Sequence, residues 1–277
     1  MDTILSFSIP HINEYIFTFL NDAQLIHCRS ISKTWKNAID MFILRRWKNK
    51  LVFAFNDERI SVVKLLLVNS LLDHSQLNGR DQYGFTLLIA ACKNGNLEIV
   101  KLILKNYPAD GIQVNLTDNT GKTALMWACR NGETDVARLL LQYSAIDCNV
   151  KDKDGVTAFM MACQFGHHWV VKLLLNGRRP HFIDMHDKSI DFNATDNYGN
   201  TALQMACFYD NVLAVQEILC CAHFEYIQLP AESSSFSGMV NQMIYTTGLS
   251  YWECYHLKSK NMHAICTAVQ CVKHWSP

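Results

Sequence analysis

Asp81-Gln-Tyr-Gly-Phe-Thr-Leu-Leu-Ile-Ala-Ala-Cys92 decides the fold, because the chain says it three more times. It returns as Asp118-Asn-Thr-Gly-Lys-Thr-Ala-Leu-Met-Trp-Ala-Cys129 and as Asp152-Lys-Asp-Gly-Val-Thr-Ala-Phe-Met-Met-Ala-Cys163. The last copy is Asp196-Asn-Tyr-Gly-Asn-Thr-Ala-Leu-Gln-Met-Ala-Cys207. A repeat with a period of tens of residues builds a stack in which each unit buries its neighbour's apolar face. Such stacks offer long surfaces to other proteins and rarely perform chemistry.

Each copy reads as turn, helix, turn, helix. Asp-x-x-Gly is a turn signal, since Asp bonds its own downstream backbone and Gly tolerates positive φ. Thr follows at the N-cap position, where its hydroxyl satisfies orphan helix amides. The first short helix runs through Leu88 and Ala91 and ends near Gly95 in the first copy. A second helix then carries Ile99-Val-x-Leu-Ile-Leu104, apolar at helical spacing. Its counterparts are Val136-Ala-x-Leu-Leu-Leu141, Val170-Val-x-Leu-Leu-Leu175 and Ala214-Val-x-x-Ile-Leu219.

These residues resemble the ankyrin repeat, with its T-P-L-H-x-A-A core, G-x-x-x-I-V-x-L-L tail and inter-repeat Asn at Asn78, Asn115, Asn149 and Asn193. The resemblance covers roughly residues 50–222 and implies an all-α solenoid. The chain departs from the family at the usual Pro, which is Leu87, Ala124, Ala158 and Ala202. The usual His is Ile89, Met126, Met160 and Gln204, so apolar packing must replace a hydrogen bond the family makes. Asp210 stands for the Gly of the fourth inner turn and puts that turn in question.

Upstream, Ala54 to Leu67 fits the helical half of a repeat, with Val62-Val-x-Leu-Leu-Leu67 in register. Downstream, Tyr251-Trp-Glu-Cys-Tyr-His256 and Ala264-Ile-Cys-Thr-Ala-Val269 read as a degenerate closing repeat. The Thr-to-Thr intervals are 37, 34 and 44 residues. Inserts at Tyr107–Gly111 and Arg178–Phe192 are therefore expected to loop out between units, as is a Pro- and Ser-bearing stretch near Leu229–Gly248.

The 277 residues are 49% apolar and 18% charged, which is globular composition. Net charge is zero, leaving no electrostatic case for nucleic acid or an anionic membrane surface. The short basic run Arg45-Arg-Trp-Lys-Asn-Lys50 reads as a solvated helix end, or else as a contact for an acidic partner. Met1-Asp-Thr-Ile-Leu-Ser6 lacks a secretory pattern, and no apolar run approaches the ~20 residues of a membrane helix. A cytoplasmic or nuclear protein is expected.

Eleven cysteines are enough for a disulfide or metal framework. Cys92, Cys129, Cys163 and Cys207 instead share one repeat position, and equivalent positions lie beyond the ~7 Å reach of a disulfide. They read as small buried residues in a reducing compartment. Cys220-Cys-Ala-His223 and Cys254-Tyr-His256 offer ligand types without a second pair at zinc spacing. His167-His168 reads as a pair of solvated turn histidines. No phosphate loop or nucleophile elbow appears, so no cofactor, no metal and no catalytic residue are expected. A cysteine-type ligase using Cys221 or Cys254 is the remote alternative.

Residues 9–47 leave the repeat pattern. Ile12, Ile16, Phe17, Phe19 and Leu20 lie at near-helical spacing, and Asn21-Asp22 offers a stop and restart. Leu25, Ile26, Cys28 and Ile31 begin a second helix; Trp35, Ala38 and Ile39 begin a third. The stretch resembles an F-box: Ile9-Pro10 for L-P, Ile16-Phe-Thr-Phe-Leu20 for I-F-x-F-L, Leu25, Ile31-Ser-Lys-Thr-Trp35, and Leu44-Arg-Arg-Trp47 for the closing region. His11 and Gln24 replace acidic residues of the pattern. A plain helical cap on the stack is the alternative, since both readings need the apolar face.

What the F-box resemblance implies is docking onto a Skp-type linker protein of an SCF cullin–RING ubiquitin ligase. The residues carried over are Ile9, Pro10, Ile12, Ile16, Leu20, Leu25, Ile31 and Trp35, some of which must also be core. The ankyrin resemblance implies a protein client held by turn tips and the exposed side of each first helix. Those positions include Lys153, Asp154 and Val156. The residues singled out are Tyr83, Phe85, Lys122, Arg130, Phe165, Tyr198, Phe208 and Tyr209, because exposed aromatics on one face mark interaction sites.

The expected organisation is an F-box-like domain over 1–48, ankyrin repeats over 49–222, and an insert with a degenerate cap over 223–277. The expected function is a non-enzymatic substrate adaptor of an SCF ligase. The compact pairing also resembles adaptors with which intracellular bacteria and large DNA viruses redirect a host ligase, although poxvirus ankyrin proteins carry the F-box-like segment at the other end. A scaffold or sequestering inhibitor, with the N-terminal helices serving only as a cap, is the alternative.

Overall fold

The structure is a computed structural model that describes residues 17–30, 33–47, 50–69, 71–107, 111–176 and 190–220. Two compact units emerge, residues 1–119 and 120–277. The chain is all-α: among the described residues helices are joined by turns, and β-pairing is limited to isolated bridges such as Thr195 with Thr201. No helix among them is long and apolar enough to cross a membrane.

In the first unit, helical residues 17–19 stop at Leu20, and Asn21 restarts the chain as the N-cap of α1 (Asp22–Cys28). The Asn21 side chain accepts from the Gln24 amide at 2.8 Å, while the Asn21 amide donates to Gln24 Oε1 at 2.9 Å. This reciprocal cap is worth about 1 kcal/mol and gives Gln24 a local reason to stand where the F-box pattern has an acid. α2 (Lys33–Trp47) returns across α1. Phe17, Leu25, Ile39 and Ile43 fill the space between, with Phe17 edge-on to Trp35 and Phe42. Arg29 clamps Asp40 through Nε and Nη2 at 2.5 and 2.9 Å, a charge-assisted fork joining the two helices.

The half-repeat follows as α3 (Leu51–Asn56) and α4 (Ile60–Val68). After the single turn α5 (His74–Leu77) comes the first full repeat, α6 (Leu87–Lys93) and α7 (Leu97–Asn106). α3 packs on α6 and α4 on α7, as stacked repeats require. α4 also packs against α1 and α2. Here Asp22, buried at the start of α1, gathers three partners. Trp47 Nε1 donates to it at 3.4 Å, Arg59 Nη1 at 2.6 Å, and Arg46 lies at 3.8 Å.

The second unit holds α8 (Ala124–Asn131) with α9 (Thr134–Leu141), α10 (Ala158–Gln164) with α11 (His168–Asn176), and α12 (Ala202–Phe208) with α13 (Val212–Cys220). First helices stack on first helices and second on second. Thr86, Thr123, Thr157 and Thr201 cap the four first helices, each hydroxyl accepting the amide three residues on. The missing family His is replaced in kind only once. Gln204 Oε1 accepts the Thr201 amide at 2.8 Å, whereas Met126 and Met160 offer a thioether sulfur at 3.4 Å, a weak acceptor.

Repeats are stitched at both ends. On the outer side Asn78 donates to the Gly111 carbonyl at 3.0 Å and accepts the Gln113 amide at 3.1 Å; Asn149 accepts from Asp191 at 2.8 Å. A side chain at Gly111 would collide with the His74 ring. On the inner side His167 bonds the Arg130 carbonyl at 2.8 Å, and Asn211 Nδ2 donates to the carbonyls of Cys163 and Gln164. His167 is thus a structural link and not the solvated turn residue its position suggests. The inner turn placed in question at Asp210 keeps its shape: Asp210 adopts φ +54°, the left-handed value of Gly166 in the preceding copy.

Residues 108–110 of the insert beginning at Tyr107 lie outside the described residues, and its two ends are buried. Tyr107 is buried at the end of α7 and Gly111 is buried against His74. Most of the 178–192 insert, the stretch near 229–248 and the closing repeat at 251–269 lie outside the described residues.

Candidate functional site

The turn chemistry aims the side chains of the site. Asp152 Oδ1 accepts the amides of Asp154 and Val156 at 3.0 and 2.9 Å. Asp196 does the same for Tyr198 and Asn200 at 2.9 and 2.8 Å and takes Asn200 Nδ2 at 3.0 Å on its other oxygen. With the carboxylate folded under the turn, the residue two places on is thrown outward. Tyr198 is 84% exposed as a result. Val156 is the exception among the tip positions: it is buried, tucked beside the buried Asp152.

Successive tips are tied to one another. Asn119 donates from its amide to the Tyr83 carbonyl at 2.9 Å and from Nδ2 to the Gln82 carbonyl at 2.9 Å. Asn197 repeats the pattern onto Asp154 and Lys153. At Gly121 a Cβ would sit 2.9 Å from the Lys153 amide, so the tips approach too closely for any side chain there.

In the second unit these tips and the first helices α8, α10 and α12 enclose a groove of about 790 Å³. Lys122, Arg130, Phe165, Tyr198, Phe208 and Tyr209 all line it. Lys122 Nζ lies 3.0 Å from Asp152 Oδ2 in a nearly buried ion pair. The Arg130 guanidinium sits between the rings of Trp127 and Phe165, 5.2 and 4.9 Å from their centroids, within cation–π range. Phe208 meets Tyr209 edge-on, and Gln164 Nε2 donates to the Tyr209 hydroxyl at 3.1 Å.

The eight client-face residues therefore divide. Six share the groove of the second unit, while Tyr83 and Phe85 neighbour each other at 6.3 Å in the first, Phe85 being half-buried under the Lys93 ammonium. Gln164, one of the positions the sequence placed on the client face, lines the groove too, whereas sequence reasoning missed Met161, Gln204 and Met205, and the groove's carboxylates Asp152 and Asp196. The signal was available, because residues at the last turn of one first helix face the tip of the next repeat.

On the N-terminal helices, Leu25 has no accessible surface and serves the interior, while Leu20 and Trp35 are half-buried. Ile9, Pro10, Ile12, Ile16 and Ile31 lie outside the described residues. Phe19, grouped by spacing with the apolar face, is 71% exposed, and Met41 is exposed too. A smaller cavity of about 430 Å³ is lined by Thr18, Phe42, Arg45 and Arg46.

Cys92, Cys129, Cys163 and Cys207 are buried thiols outside any disulfide among the described residues. Burial pushes the thiols of Cys129 and Cys163 far up, and that of Cys207 to about 12, with Asp210 adding to the last. Cys129, Cys163 and Cys207 are packing groups held protonated. Among the described residues no three His, Cys, Asp or Glu side chains gather as a metal site; Cys221, His223, Cys254 and His256 lie outside them.

Comparison with known families matches the ankyrin-repeat model, described as ankyrin repeats in three copies, over residues 51–152 and 144–228. The F-box domain model matches residues 10–47. No curated protein matches the chain. With its repeats matched across more than half its length, the chain belongs to the ankyrin-repeat family and carries an F-box domain ahead of the repeats.

Proposed function

We propose that this protein is a substrate-recognition adaptor of an SCF-type cullin–RING ubiquitin ligase, working in the cytoplasm or nucleus. The F-box, over residues 1–48, docks on a Skp-type linker protein, and the repeats, over 49–222, hold a protein client. Residues 223–277 close the stack. The mechanism is raised effective concentration: the client is carried to a ubiquitin-loaded enzyme, and this chain performs no bond-making step. The observation that supports it best is the pairing of an F-box match at 10–47 with a groove of exposed aromatics in the repeats behind it. Leu20, Trp35 and the exposed Phe19 are the described residues offered to the linker, alongside Ile9, Pro10, Ile12, Ile16 and Ile31.

A second reading has its own support. α4 of the half-repeat packs on α1 and α2, and Arg59 reaches Asp22, which is also what a plain helical cap on a scaffold or sequestering inhibitor would do.

Co-purification with a Skp-type linker separates the two. Wild type should retain the linker and a Pro10→Ala/Leu20→Ala variant, shown folded by circular dichroism, should lose it. A wild-type chain that retains none leaves the scaffold.

A further inference from the structure

The charged residues lining the groove do not all remain available. Lys122 and Asp152 neutralise each other at 3.0 Å, and Asp196 already accepts three donors from its own turn. Two charges are left. Arg130 is flanked by Trp127 and Phe165, and Asp154 stands exposed at the tip of the next turn. Among the described residues neither has an ion-pair partner. Between them the groove is walled by apolar and aromatic side chains, among them Met161, Met205 and Phe208.

We propose that the groove takes a client segment carrying an acidic residue and a basic residue around an apolar anchor, with the acid read by Arg130 and the base by Asp154. This rests on the reading that the repeats hold a protein client, and it names that client's chemistry. The flanking rings hold the guanidinium in one place and shield it from water, while its N–H donors lie along its edge in a fork that suits a carboxylate. A preordered donor loses little freedom on binding. Asp154 gives the opposite preference at the other position, so that a segment of either single charge is disfavoured. A polyanion such as nucleic acid fails the same test, because the groove offers it one unpaired cation and one unpaired anion.

The test is selection from a phage-displayed library of short random peptides on the full chain. It is run in parallel on Arg130→Glu and Asp154→Lys, each checked for folding by circular dichroism. Wild type should enrich peptides with an acid and a base around an aliphatic or aromatic residue. Arg130→Glu should exchange the acid for a base and leave the rest of the pattern. Asp154→Lys, a change on an exposed tip, should exchange the base for an acid. The consensus peptide should bind the Arg130→Gln chain about tenfold more weakly in fluorescence anisotropy. Enriched peptides without an acid, the same pattern from all three chains, or no enrichment would overturn the proposal. Linker co-purification uses the F-box alone, so a chain that keeps the linker but fails selection sinks this inference and leaves the adaptor reading standing.

Discussion

Arg59 donates to Asp22 across 2.6 Å, joining the half-repeat to the first residue of an F-box helix 37 positions earlier. The two partners are unequal. Asp22 is buried and also accepts from Trp47, whereas the Arg59 side chain is 37% exposed and has a second carboxylate in Asp57.

Asp22→Ala should therefore destabilise the N-terminal unit by about 2–3 kcal/mol, since it strands the Trp47 indole N–H and an arginine. Arg59→Ala should cost only about 1 kcal/mol, because solvent screens its side of the pair. Urea unfolding followed by circular dichroism measures both. Equal losses would remove Asp22 as the hub of this junction.

The buried thiols predict a loss of stability in alkali. Folding raises their pKa, so the native state binds more protons than the unfolded state once pH passes the ordinary thiol value of about 8.5. Stability is complete below that pH and falls above it by up to ~1.4 kcal/mol per pH unit per thiol, until the folded thiol titrates, near 12 for Cys207. Cys207→Ala should flatten the decline of the melting temperature between roughly pH 9 and 10.5 relative to wild type. Parallel declines would show that the thiol does not carry it.

Asp210 and Glu58 both hold left-handed φ, at +54° and +57°, in inner turns where the other repeats use glycine. A Cβ in that region costs about 1–2 kcal/mol, part of which glycine gives back through unfolded-chain entropy. Asp210→Gly should raise stability by roughly 0.5–1 kcal/mol in a urea titration, with Glu58→Gly similar. A loss on substitution would mean that the Asp210 side chain holds the turn.

Tyr198, Phe208 and Tyr209 present the largest exposed aromatic surface of the groove. Replacing all three with Ala should weaken binding of a selected peptide or isolated client by at least ~2 kcal/mol, about thirtyfold. A loss under roughly threefold in the same titration would place the client elsewhere on the repeats.

The helices, caps and turns were legible because each is local: Thr86 and its three counterparts announce their helices within four residues of sequence. The Asn bridges at Asn78 and Asn149 were legible from the family pattern. What escaped depends on distance in the chain. Nothing near His167 announces its bond to Arg130, 37 residues earlier. Leu25 and Phe19 both fit an apolar helical face, yet one is sealed and the other open, because burial depends on which helix arrives opposite. The groove's charges needed pairing in space before the idle ones could be told from the spent. The likeness of Met126 to the missing His is confined to its sulfur meeting the Thr123 amide, which no propensity foretells.

The knitted turn tips divide their residues into two kinds. Asn119 and Asn197 hold backbone to backbone, and any exchange there loosens two repeats at once. Tyr198 and Asp154 lend the tip only their main chain, and their side chains are free to change without disturbing the stack. Recognition can thus be rewritten one tip at a time, leaving the scaffold's stability and the neighbouring tips as they were.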